Sequence, residues 1–350
     1  MKMRVLGRSV ITTFLLVVVL SAPAWASEEI RFNRIVVFGT SFSDPGNAYA
    51  LRGETTAPPY DTLDLFLVPS APYSIGGGHH FSNGETWIEQ LARSLGLAEN
   101  TRPAFQSPGT GATNYAVGGA RAYEDGKNMN LSEQVNRFLS DFGGVAPSDA
   151  LYVVEMGGND IRDALEASAA GVGGEAIIQS ALASIEKNLA ALQAAGARKF
   201  LVWNAPNIRL SPAVHILDSL VPGAGQQAEL LSIMFNSGLE SILGALKKSR
   251  RIEIVQFDLY RKINQMIAKP RAVGLNVIDA TCVMPNVPPF ECQTPDEFFF
   301  WDGIHPTRAV HAMVAVQVAL TLAEAGEKGE PPTLNPFGTE QGSRRSERNR

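Results

Sequence analysis

The chain has 350 residues, 45% of them hydrophobic and 19% charged, with a formal net charge of -5. That balance belongs to a globular protein, and no run of like charge is long enough to serve as a nucleic-acid-binding arm. The acidic sign also argues against attraction to phosphate backbones or anionic lipid surfaces.

At the start, Lys2, Arg4 and Arg8 precede a largely apolar stretch from Val10 to Leu20, and Ala24-Trp25-Ala26 follows. These are the three parts of a secretory signal with an A-x-A cleavage site, so residues 1–26 are expected to be removed and the mature chain to begin at Ser27. The apolar stretch is short for a membrane span, which takes about 20 residues. The mature protein is therefore expected to be exported, to a periplasm or the extracellular medium, without an integral membrane span. Losing the three positive charges takes the formal net charge from -5 to -8.

Ile35, Val36, Val37 and Phe38 form an apolar, mostly β-branched run that reads as a strand buried on both faces. It stops at Gly39 and delivers Ser41 into the turn Thr40-Ser-Phe-Ser-Asp-Pro-Gly-Asn47. That is the carboxyl edge of a sheet, where open α/β folds place their ligands, and Ser41 is a candidate nucleophile there. Taken alone, the stretch reads as no more than a polar turn.

From Leu51 to Phe81 the chain is too rich in Pro and Gly for regular structure, as in Ala57-Pro-Pro-Tyr60, and a long loop is expected. His79 and His80 fall in it as exposed residues rather than metal ligands, since adjacent residues seldom aim at one ion. Trp87, Ile88, Leu91, Ala92 and Leu95 then mark an amphipathic helix. Asn114-Tyr-Ala-Val-Gly-Gly-Ala-Arg121 is a short apolar segment ending in Gly118 and Gly119. Leu131, Val135, Phe138 and Leu139 make another helix face, closed by Gly143 and Gly144.

Ala150 to Glu155 is a second buried-type strand, and it runs into Met156-Gly-Gly-Asn-Asp160 ahead of a helix. A helix is expected over 176–195, ended by Gly196, and a strand over 199–204, stopped by Pro206. A helix over 226–248 and a strand over 251–257 follow. From Asp279 to Phe300 the pattern is irregular and Pro-rich. It encloses the only cysteines, Cys282 and Cys292, for which a disulfide is the natural reading in an exported chain. Two cysteines alone do not make a zinc site. Trp301-Asp-Gly-Ile-His-Pro-Thr307 leads into a helix from Pro306 to near Gly326, and residues 329–350 read as a disordered tail.

Strands alternating with long helices imply right-handed crossovers and a mainly parallel sheet, hence one α/β domain over residues 27–328. Its strand ends supply Ser41, Gly118-Gly119 and Asn159, and a loop before the last helix supplies Asp302 and His305. Acyl transfer needs such groups: a hydroxyl, an imidazole to take its proton, a carboxylate to orient the imidazole, and donors for an oxyanion.

On these segments the sequence resembles the GDSL esterases and lipases, the SGNH hydrolases. Phe38 to Asn47 is similar to the block FGDSxSDxGN, Asn114 to Ala120 to the second block, Gly157-Gly-Asn-Asp160 to GxND and Asp302-Gly-Ile-His305 to DxxH. The resemblance implies a three-layer α/β/α, flavodoxin-like fold with a mainly parallel sheet of about five strands. It implies Ser41 as nucleophile, His305 as base and Asp302 as its orienter, with the Ser41 and Gly119 N–H groups and the Asn159 amide as the oxyanion hole and Gly118 as the near alternative to Gly119. It implies an esterase or lipase acting on a lipid, small-molecule or acylated-carbohydrate ester, with no metal and no organic cofactor. Two further readings are an acyltransferase using the same acyl-enzyme, and a degenerate fold that only binds a glycan or surface ligand. The sequence departs from the family block at Thr40, where Asp is usual. Thr carries no charge, which weakens support of the Ser loop. On that reading, restoring Asp leaves activity equal or higher.

Overall fold

Successive side chains of a strand point to opposite faces, and here both faces are covered. In β1 (Arg34–Gly39) Ile35 and Val37 enter one core while Val36 and Phe38 enter another. The same division runs through β2 (Ala150–Glu155) and β3 (Lys199–Trp203), and Ile254 parts from Val255 and Phe257 in the same way in β4 (Glu253–Phe257). The structure, a computed structural model, describes residues 32–74, 78–107, 111–248 and 252–327. The signal-sequence reading of residues 1–26 and the disordered-tail reading of 329–350 lie outside the described residues.

The four strands pair in parallel in the order β1-β2-β3-β4. A fifth position is filled by residues 113–117, which run parallel along the free edge of β1. There the Val37 N–H donates to the Thr113 carbonyl at 2.9 Å, Tyr115 N–H to the Val37 carbonyl at 2.8 Å and Val117 N–H to the Gly39 carbonyl at 3.1 Å. The chain thus winds from β1 to one side and returns across it to β2 on the other. That reversal is the switch point of a doubly wound sheet, and it opens a crevice beyond the carboxyl ends of β1 and β2.

The short α1 (Asn47–Arg52) follows the Ser41 turn. One face of the sheet carries α2 (Trp87–Ser94), and the other carries α3 (Leu131–Asp141), α4 (Gly158–Ala169) and α5 (Glu175–Ala195). Beyond α1, two helices were not read from the sequence pattern, at 212–220 and 259–268. In α6 (Pro212–Leu220) Pro212 occupies the first turn and the Ser211 hydroxyl accepts the Val214 N–H at 3.3 Å. The long α7 (Ala224–Lys247) joins the face that carries α3, α4 and α5. In α8 (Leu259–Ala268) Asp258 caps by accepting the Arg261 N–H at 3.1 Å.

The segment expected to be irregular contains two short strands, β5 (Val277–Thr281) and β6 (Phe298–Phe300), paired in parallel as a separate sheet. Strands of five and three residues leave little periodicity to read, and their pairing is non-local. Between them Cys282 and Cys292 form a disulfide with Cα atoms 4.8 Å apart. The last helix, α9 (Arg308–Glu327), is long and apolar enough to cross a membrane, yet Val310, Val314, Val318 and Leu322 pack into the core beside α2 and α8.

The expected long loop is docked rather than free. Tyr60 and Tyr73 are fully buried with Cys282, Val283 and Trp301, the Tyr60 hydroxyl donates to Glu291, and the Asn286 N–H donates to the Pro59 carbonyl at 2.9 Å. His80, expected to be exposed, is only 4% accessible and contacts Glu89 of α2, while the His79 ring stacks on Tyr49 at 3.6 Å. Docking of the loop takes His80 inward, and the two rings turn to different partners.

Replacing Cys282 and Cys292 together by Ser is expected to lower stability by at most about 3 kcal/mol, the chain-entropy value for a loop this short. Denaturant unfolding of oxidised wild type against the double variant measures it. A wild-type midpoint unchanged by reduction would show that packing alone holds the segment.

Candidate active site

The turn after β1 is built on buried acceptors. Asp44 accepts the N–H groups of Gly46 (2.8 Å), Asn47 (2.6 Å) and Ala48 (3.1 Å), which start α1, and that of Gly118 (2.7 Å) from the neighbouring segment. One carboxyl therefore ties the Ser41 turn to the Gly118-Gly119 turn. Burial pushes it up to about 6, against the pull of these four N–H groups. Gln134 from α3 closes the other side, accepting the Gly39 N–H at 2.9 Å and donating to the Gly39 carbonyl at 2.9 Å.

The Ser41 hydroxyl lies 2.8 Å from His305 Nε2, and His305 Nδ1 lies 2.7 Å from Asp302 Oδ2. All three are buried, Asp302 completely. The spacing of Asp302 and His305 has a local cause: Asp302 Oδ1 accepts the Ile304 N–H at 2.9 Å and the His305 N–H at 2.8 Å, a turn that folds the carboxyl back on its own chain. A carboxylate only accepts, so its partner Nδ1 carries the proton and leaves Nε2 free to accept from the Ser41 hydroxyl.

A second donor reaches the same oxygen: the Tyr73 hydroxyl, from the docked loop, donates to Asp302 Oδ2 at 2.8 Å. Burial and the Asp302 charge hold the Tyr73 phenol well above its ordinary value, so it remains a donor. Sequence reasoning missed this residue, and a Tyr 229 positions from its acceptor leaves no local signal. The loop touches the Asp302 turn again where the Gly303 N–H donates to the Leu67 carbonyl at 2.8 Å.

The expected oxyanion donors sit at the start of α4 and on the segment that runs along β1. Asn159 lies in the first turn of α4 rather than in a loop, and one of its two amide hydrogens goes to the Ala120 carbonyl at 2.8 Å, which leaves the other to project. Gly118 and Gly119 separate clearly. The Gly118 N–H is taken by Asp44, whereas the Gly119 N–H has no acceptor among the described residues, and Arg121 holds the Gly119 carbonyl from behind. Gly119 has φ of +84°, a left-handed conformation that glycine adopts without strain.

A doubly wound parallel sheet with a hydroxyl–imidazole–carboxylate series in the crevice at its switch point is the build of a hydrolase of the Ser-His-Asp type. The chain belongs to the GDSL-like lipase/acylhydrolase family, whose model matches residues 35–318, and it is a hydrolase of ester bonds. Two proteins of Arabidopsis thaliana named GDSL esterase/lipase are similar to it. One is 26% identical over 316 residues, covering 80% of this chain and 83% of the relative. The other is 24% identical over 339 residues, covering 86% and 88%. Among solved structures, a possible lipase from Chitinophaga pinensis aligns with a TM-score of 0.41 at 13% identity, over 84% of this chain and 99% of its own. A lipase/acylhydrolase from Enterococcus faecalis aligns with a TM-score of 0.37 at 9% identity, over 83% and 96%.

Tyr73→Phe removes a buried hydrogen bond to a carboxylate and is expected to cost about 1.5–3 kcal/mol of stability. It should also lower kcat with little change in KM, because it acts on Asp302 and not on bound ester. Denaturant unfolding and steady-state kinetics of the purified variant check both; an unchanged midpoint would remove Tyr73 from the support of Asp302.

Proposed function

We propose that the protein is an exported carboxylic ester hydrolase that works through an acyl-enzyme on Ser41. His305 Nε2 takes the proton of the Ser41 hydroxyl as its oxygen attacks the ester carbonyl. The negative charge that develops on the carbonyl oxygen is met by the N–H groups of Ser41 and Gly119 and by the free Asn159 amide hydrogen. His305 then gives the proton to the departing alcohol, and Asp302 stabilises the imidazolium while that proton is held. Water attacks the acyl-enzyme with His305 again as base, releasing the acid and restoring Ser41.

The observation that carries this reading is the unbroken series from the Ser41 hydroxyl through His305 to Asp302, at 2.8 and 2.7 Å. The release of Gly119, but not Gly118, from internal hydrogen bonding supports its part. Export is supported by the tripartite N-terminal sequence and by the Cys282–Cys292 disulfide, which suits an oxidising compartment. An alcohol in place of water would make the same intermediate an acyltransferase, and product analysis with an added alcohol acceptor separates the two outcomes.

Ser41→Ala is expected to abolish turnover of a short-chain chromogenic ester while the fold is kept, because no covalent bond can form. Wild-type activity in the purified variant would refute the mechanism. Asn159→Ala should lower kcat by about 10² to 10³, the usual cost of one oxyanion donor, so an unchanged kcat would take Asn159 out of the hole.

A further inference from the structure

Thr40 stands where the resembling block has Asp, and it faces a carboxyl supplied by another strand. Glu155, the last residue of β2, lies beneath the Ser41 turn and is 8% accessible. Its Oε2 accepts the Thr40 backbone N–H at 3.0 Å, and the Thr40 hydroxyl lies 3.1 Å from both carboxyl oxygens. The Ser43 hydroxyl donates to Oε2 at 3.1 Å and accepts the Trp87 indole N–H at 3.0 Å. A Cβ added to Gly39 would come within 2.9 Å of Oε2, so the carboxyl occupies the space that glycine leaves.

We propose that Glu155 is a positioning residue for Ser41, and that it supplies from across the β1–β2 junction the carboxylate that the resembling block places at position 40. The proposal rests on Ser41 being the nucleophile. The Thr40–Ser41 peptide carries the Ser41 N–H assigned to the oxyanion. Glu155 holds the Thr40 N–H on one side of that peptide, and the Thr40 carbonyl on the other accepts the Ser43 N–H at 3.1 Å. Every group facing Glu155 in this set is a donor, which suits a carboxylate that can only accept. Thr40 is thus not a weakened family residue but the required partner of a carboxylate placed elsewhere.

The consequence reverses the expectation drawn from sequence. Asp at position 40 would lose the hydroxyl donor and set a second carboxylate against a buried one, and like charges at such a distance cannot both ionise cheaply. Burial, helped by the Asp160 charge, already pushes Glu155 up to about 7 against the pull of the Thr40 and Ser43 donors, and a further negative charge there would add to that rise.

The test compares Thr40→Asp, Glu155→Gln and the swap Thr40→Asp/Glu155→Thr, reading kcat, KM and the unfolding midpoint with a short-chain chromogenic ester, with Ser41→Ala as control. Thr40→Asp and Glu155→Gln are each expected to lower kcat by about tenfold or more at nearly unchanged KM, and the swap to recover most of the loss. Thr40→Asp turning over as fast as wild type would overturn the proposal, as would a swap no better than Thr40→Asp alone. Where Thr40→Asp does not fold, a folded and active swap supports the pairing and an unfolded swap refutes it. If Ser41→Ala itself kept turnover, the nucleophile assignment would fall separately, and recovery of the unfolding midpoint in the swap would decide the pairing.

Discussion

The parallel register of β1 on β2 is the constraint from which the site follows. It sets Gly39 opposite Glu155, so the two strands end together at one edge of the sheet. Ser41 leaves one strand two residues later, and Asn159 starts a helix four residues beyond the other. A slip of one residue would turn every side chain of β1 to the other face and exchange two buried surfaces. Because both faces are covered, that slip carries the cost of the whole core, and the relative position of Ser41 and Asn159 inherits the same stability.

A second constraint brings the imidazole and its carboxylate to that edge. Asp302 and His305 lie on a segment that follows β6, not on the main sheet. They are positioned from three sides: the Trp301 N–H donates to the His305 carbonyl at 2.8 Å, the docked loop contributes Tyr73 and the Leu67 carbonyl, and the Gly303 carbonyl accepts the Ala213 N–H of α6 at 2.9 Å. The loop, the disulfide-bearing segment and α6 form one unit whose product is the placement of Asp302. This explains why the Pro- and Gly-rich loop is pinned to the protein at Tyr60, Ala71 and Tyr73 although much of it faces solvent.

The polar interior under Ser41 is a set of matched donors and acceptors. Asp44, Glu155 and Asp160 are buried carboxyls, each accepting from backbone or hydroxyl donors, and Asp160 takes the Ala122 and Tyr123 N–H groups. Each joins two segments distant in sequence, so desolvation is offset by bonds that also fix the relative position of the turns.

The sequence by itself determined the buried strands, the alternation of strand and helix that makes the sheet parallel, the local turns that present Ser41, Asn159 and the Asp302–His305 pair, and the cysteine pairing. Each depends on short-range periodicity or on turn chemistry that neighbouring residues specify. Only the tertiary structure decided which glycine keeps its N–H free, that His80 is buried and the long loop docked, that Tyr73 reaches Asp302, and that Thr40 answers to Glu155. Those outcomes depend on distant partners, 229 positions away for Tyr73 and 231 for Tyr60. A hydrogen bond between distant residues is selected by how the layers pack, and the residues on either side of it in the chain carry no trace of that choice.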